Sequence, residues 1–138
     1  MVAVIRIGVI GCGRVAQHYK NILDSEAVSG FKIIGSFDLN GARSENFSSH
    51  YSAINFSSYE ELLATGKPEL MLVLTPSGMH YEHSKIALEK GCHVLVEKPM
   101  TMLSGQAKEL ENLAISKNLM YGVAFQNRFN PAIIALGK

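Results

Sequence analysis

The 138 residues are 47% apolar and 18% charged, which fits one globular domain with a core and is too short for two. Thirteen Lys and Arg stand against twelve Asp and Glu, a formal charge of +1. With no block of either sign, that balance argues against a nucleic-acid footprint. No run of about 18 apolar residues occurs, so no membrane span is expected. Cys12 and Cys92 show no CxxC spacing, which favours a reducing cytoplasm over a disulfide or zinc framework.

Residues 4–10 form an apolar run broken only by Arg6 and Gly8. The stretch 1–10 has no charged leader and no small-residue cleavage site, so it reads as a strand. Gly11-Cys12-Gly13-Arg14-Val15-Ala16 follows at once, and Val15, Tyr19, Ile22 and Leu23 then share one helical face. A second apolar run covers 31–37 and ends at Asp38-Leu39-Asn40-Gly41, a turn composition. Residues 44–58 hold six serines and little periodicity, so a helix end, a short strand over 53–56 and loop are expected there. A short helix over 59–64 ends before Gly66-Lys67-Pro68, and a strand occupies 70–74.

Ser77-Gly78 opens a helix that carries Met79, His83, Ile86 and Lys90 on one side and stops at Gly91. A strand over 94–96 precedes a helix with Leu103, Ala107, Leu110 and Ala114 on its buried face. The last strand spans 120–125, and Asn130-Pro131 is an N-cap followed by proline at the first helical position. Strands that are apolar on both faces, alternating with amphipathic helices, make βαβ units. The expected fold is a doubly wound parallel α/β sheet, a Rossmann fold over residues 1–130. Residues 131–138 are expected to begin a connection to a further domain beyond this chain.

The glycine segment matches GxGxx[G/A] between a strand and a helix. Gly11 permits the tight turn, Gly13 lets the backbone approach a pyrophosphate, and Ala16 allows close helix–strand packing. Free N–H groups and the helix dipole favour an anion there, with Arg14 and Val15 in the first turn. The plain alternative is a structural glycine turn with a solvated Arg14. Asp38 follows the second strand, 22 residues after Ala16, where a carboxylate accepts from an adenosine ribose diol and repels a 2′-phosphate. That argues for NAD over NADP, and Asp38 is equally at home as a turn residue. Arg43 stands close enough to serve a 2′-phosphate, which keeps NADP as the second reading.

Three more segments fall at the carboxyl ends of later strands: Thr75-Pro76-Ser77-Gly78-Met79-His80, Glu97-Lys98-Pro99, and Gln126-Asn127-Arg128-Phe129-Asn130-Pro131. Together with the glycine turn they resemble the nucleotide-binding half of the Gfo/Idh/MocA oxidoreductase family. Thr75, His80, Ala87-Leu88, Gly91-Cys92-His93-Val94 and Glu97-Lys98-Pro99 agree in type and spacing over roughly 25 positions. Cys92 departs from the lysine the family often carries. The segment from Gln126 to Pro131 is most similar to the branch that oxidises nucleotide-linked N-acetylglucosaminuronic acids at C3, with other sugar, inositol or glucose–fructose branches as alternatives.

The resemblance implies a hydride-transferring sugar or sugar-nucleotide oxidoreductase that acts with NAD as a cytoplasmic homo-oligomer. Lys98 would sit beside the nicotinamide and hydrogen-bond the substrate hydroxyl, and Glu97 would contact cofactor ribose or position Lys98. Thr75 and Pro76 would line the nicotinamide side through backbone groups, with His80 near the cofactor or, equally, a purely structural residue of its helix's first turn. Gln126, Asn127 and Arg128 would meet the substrate, Arg128 through its planar fork; alternatively they only lead into the Asn130 cap. His83 reads as packed and His93 as core. These two, with His18, His50 and His80, show no metal-ligand pattern. The second domain that the family carries would supply a further acid or base, so this chain is expected to bind cofactor and turn over slowly or not at all. A methyltransferase shares the glycine turn and the acidic residue, but leaves Glu97-Lys98-Pro99 without a purpose. A non-catalytic nucleotide-binding module is the other alternative.

Overall fold

The apolar runs become six strands of one parallel sheet. These are β1 (Ile5–Ile10), β2 (Phe31–Phe37), β3 (Ile54–Asn55), β4 (Leu70–Val73), β5 (His93–Glu97) and β6 (Tyr121–Ala124), in the order β3-β2-β1-β4-β5-β6. The computed structural model describes residues 3–137. Met1 and Val2 of the expected first strand and Lys138 of the expected connection lie outside the described residues. The helices are α1 (Arg14–Leu23), α2 (Gly41–His50), α3 (Tyr59–Glu61, running on as a wider π turn over Leu62–Gly66), α4 (His80–Glu89), α5 (Ser104–Ser116) and α6 (Pro131–Leu136). Among the described residues no helix is long and apolar enough to cross a membrane.

Successive residues of a strand point to opposite faces, and β4 shows the result. Met71 and Val73 join a cluster with Phe56, Tyr59, Leu62, Leu88, Val96 and Leu110 beneath α3, α4 and α5. Leu72 and Leu74 join Ile7, Val9, Ala16, Ile33 and Phe47 beneath α1 and α2. The doubly wound expectation therefore holds.

Several local readings change. On α1 the packed residues are Ala16, Tyr19 and Leu23, whereas Val15 and Ile22 are 40% and 42% exposed. The helix turns its small residue to the sheet, and the larger aliphatics flank the contact. Residues 41–50, read in part as loop, form a complete helix capped by Asn40, whose side chain accepts from Arg43 N. Its buried face is Ser44, Phe47 and Ser48, so apolar periodicity is weak. The hydroxyls instead make a closed set with β2: Ser36 Oγ lies 3.0 Å from Ser44 Oγ and 2.6 Å from Ser48 Oγ. Ser48 Oγ donates on to Ile54 O at 3.0 Å. His93 is half-buried rather than core, because it starts its strand and its Nδ1 accepts from Met120 N at 2.9 Å.

The strand order changes direction between β1 and β4. In an open α/β sheet the crevice outside the carboxyl ends at that point is where ligands bind.

Candidate functional site

Gly11 leaves β1 at φ +90°, a conformation that L side chains rarely adopt. Its N–H donates to Phe37 O at 2.9 Å, and a Cβ there would stand 2.7 Å from Leu74 O and Thr75 N. The glycine turn is thus pressed against the turn that leaves β4. Gly13 is the N-cap of α1, with no side-chain cap and no acidic residue in the first turn. A Cβ at Gly13 would meet only Arg43 Nη1, at 3.9 Å. An open backbone cradle at a ten-residue helix's uncapped N-terminus is what an anionic group requires. Arg14 and Val15 form that first turn and are exposed.

Asp38, at the end of β2, stands beside the glycine turn. Its Oδ2 accepts from Cys12 N and its Oδ1 from Asn40 N, each at 2.7 Å. Two main-chain donors fix the carboxylate, and each oxygen retains acceptor capacity for a hydroxyl. The Cys12 thiol below the turn is pushed up to about 11, first by burial and also by the Asp38 charge, so it stays neutral.

Across the crevice, the β4 and β5 turns are tied together. Thr75 Oγ1 shares a hydrogen bond with His83 Nδ1 at 3.0 Å. His80, 1% exposed, reaches Thr75 O from Nε2 at 2.6 Å and Pro99 O from Nδ1 at 2.7 Å. Glu97 Oε1 accepts from Tyr19 OH at 2.8 Å, and Glu97 Oε2 accepts from Lys98 N at 3.2 Å. Burial and then the Glu97 carboxylate hold the Tyr19 hydroxyl well above its ordinary range, so it remains a donor. Pro76 and Lys98 are exposed, and the Lys98–Pro99 peptide is cis.

Gly11, Asp38, Thr75, His80 and Glu97 are therefore joined by contacts across the ends of β1, β2, β4 and β5. Gln126, Asn127 and Arg128 are exposed on a 3-10 turn after β6, and among the described residues no side-chain hydrogen bond links them to that group. Tyr19 and His83 are parts of the arrangement that sequence reasoning missed. Both looked like packing on a helix face, and the available signal was that a buried hydroxyl or imidazole demands a polar partner.

The model of an oxidoreductase family with an NAD-binding Rossmann fold matches residues 5–125. The D-glucoside 3-dehydrogenase of Escherichia coli is 30% identical over 133 residues, covering 91% of this chain and 36% of that protein. The WlbA dehydrogenase of Bordetella pertussis, solved with NADH and UDP-GlcNAcA, superposes with a TM-score of 0.88 at 26% identity, over 96% of this chain and 38% of that one. A variant of a 3-ketoreductase from Actinomadura kijaniata, solved with TDP-benzene and NADP, gives 0.87 at 27% identity, over 97% and 42%. The chain spans well under half the length of these relatives. With the glycine turn, the Asp38 carboxylate and the Glu97-Lys98-Pro99 turn in place, it belongs to the Gfo/Idh/MocA oxidoreductase family.

Proposed function

We propose that this chain is the NAD-binding part, residues 1–130, of an oxidoreductase acting on a hydroxyl of a sugar or sugar nucleotide. The observation that carries the reading is Asp38, held by Cys12 N and Asn40 N at 2.7 Å beside the open Gly13 turn. That carboxylate is built to accept from a ribose diol and to repel a 2′-phosphate. Gly11, Gly13, Arg14 and Val15 take the pyrophosphate. Thr75, Pro76, His80 and Glu97 form the nicotinamide side. NADP is the second reading, favoured by the Arg43 guanidinium near Gly13.

Bound nicotinamide supplies a two-electron hydride acceptor. The chain's own contribution is Lys98, whose backbone is fixed through Glu97 and whose exposed ammonium is free to hydrogen-bond a substrate oxygen. In its neutral amine form the same group would accept the carbinol O–H proton as hydride leaves the carbon and release it to solvent; in the reverse direction the ammonium would donate that proton to the carbonyl oxygen as hydride arrives. Gln126 and Asn127 present amides to sugar hydroxyls and Arg128 a bidentate fork to a carboxylate or diphosphate. The nucleotide-linked N-acetylglucosaminuronate branch fits that set of groups. Residues 131–138 begin the connection to a substrate domain, and the whole protein works as a cytoplasmic homo-oligomer. This stretch alone turns over slowly or not at all.

Calorimetric titration with NADH and with NADPH tests the cofactor. Selective NADH binding is expected, and a preference for NADPH would move the weight from Asp38 to Arg43. In the whole polypeptide, Lys98→Ala is expected to lower the oxidation rate at least about a hundredfold, the scale of a lost general acid or base. An unchanged rate removes Lys98 from the chemistry.

A further inference from the structure

We propose that His80 is a positioning residue, a clasp that donates from both ring nitrogens and fixes the separation of the β4 and β5 turns. The inference deepens the cofactor reading above, since those turns form its nicotinamide side. The ring sits at the first residue of α4 and is 1% exposed. Both partners are main-chain carbonyls, Thr75 O at 2.6 Å and Pro99 O at 2.7 Å, and neither can donate. A neutral imidazole has one N–H and one lone pair, so it satisfies one carbonyl and turns a lone pair on the other. Only the ring with two hydrogens makes both bonds.

What the clasp holds is specific. Thr75 N is one of the main-chain atoms, with Leu74 C and O, that a Gly11 Cβ would strike, so Thr75 abuts the glycine turn. Pro99 follows Lys98 directly. The ring therefore connects the wall of the phosphate cradle to the segment that presents the lysine, across the strand ends of β4 and β5. Thr75 is gripped a second time through Oγ1 by His83, one turn further along α4. Loss of the ring leaves two carbonyls without donors and lets the turns separate. Even a shift of about 1 Å between groups that act together is costly for binding and catalysis.

The adenosine half of the cofactor rests on Gly13 and Asp38, which His80 does not touch, and this separates a clasp from a general scaffold residue. Two experiments test it. Ring 15N–1H correlation spectra of the native chain near neutral pH should show protons on both His80 nitrogens. A bare nitrogen there overturns the proposal, whatever any variant does. In titrations, His80→Ala should leave AMP affinity within about twofold while NADH affinity falls about tenfold or more. An equal fall for both ligands, or no fall for either, also overturns it. If the native chain binds neither ligand, the cofactor reading fails, and the ring spectrum still decides the clasp.

Discussion

The Tyr19 hydroxyl on α1 donates to Glu97 Oε1 at 2.8 Å. Helix α1 starts at the glycine turn and Glu97 ends β5, so one hydrogen bond joins the helix that leaves the glycine turn to the residue before Lys98. The second Glu97 oxygen holds Lys98 N, which makes the carboxylate a bridge. Tyr19→Phe keeps the packing and removes the donor. A bond to a charged acceptor at a half-buried site contributes about 1–2 kcal/mol, so the urea midpoint should fall accordingly with an unchanged slope. NADH affinity should fall several-fold alongside. An unaltered midpoint and affinity would show that the bridge does nothing.

The two glycines of the turn predict opposite outcomes for the same substitution. Gly11→Ala forces a side chain into φ +90° and sets a Cβ 2.7 Å from main-chain atoms of Leu74 and Thr75, which cannot yield as a side chain could. A stability loss of about 3 kcal/mol or more is expected. Gly13→Ala meets only Arg43 Nη1 at 3.9 Å, so thermal stability should change by less than about 1 kcal/mol. On the proposed cofactor reading its added methyl occupies the approach of a pyrophosphate, and NADH binding should be lost from a well-folded protein. Retained binding in Gly13→Ala would mean that the anion does not lie on this turn.

Cofactor choice should divide between Asp38 and Arg43. Asp38→Ala removes the proposed acceptor for a ribose diol and leaves Cys12 N and Asn40 N without their 2.7 Å partner. NADH affinity should fall about tenfold or more, with a smaller effect on NADPH. Arg43→Ala should leave NADH binding nearly unchanged and weaken NADPH. If Asp38→Ala leaves the NADH to NADPH ratio as it was, the carboxylate serves only its own turn.

The sheet was legible because parallel strands covered on both faces need near-continuous apolar runs, as in 70–74 and, with Lys32 and Ser36 as interruptions, in 31–37. The glycine turn and Asp38 were legible for a related reason, since their spacing follows from strand and helix lengths. Helix α2 was obscured by its own packing. Ser44 and Ser48 are buried at 0% and 1%, where the period rule expects aliphatics, because Ser36 on β2 supplies their partner. Tyr19 and His83 misled differently: apolar spacing placed each on the right face, but periodicity says nothing about what a polar tip touches. His93 looked like core from its strand position, and only the start of the strand, beside Met120 N, left it half-exposed.

Stability should fall on mild acidification, and His83 should account for part of it. Burial is the main cause that holds this imidazole below its ordinary 6.5, with the Glu82 charge opposing, His80 adding to the shift and Glu60 opposing. The unfolded chain takes up the proton near the ordinary value, while the folded chain resists. Below about pH 6.5 the unfolded state therefore binds more protons, and stability drops as pH falls until the folded group also titrates. One group contributes at most about 1.4 kcal/mol per pH unit, and less here because the ring is only partly buried. His83→Gln keeps a polar group for Thr75 Oγ1 and removes the titration. Melts at pH 7.5 and 5.5 should show a smaller drop for the variant than for the native chain. An identical drop in the two proteins would locate the acid sensitivity elsewhere and detach His83 from it.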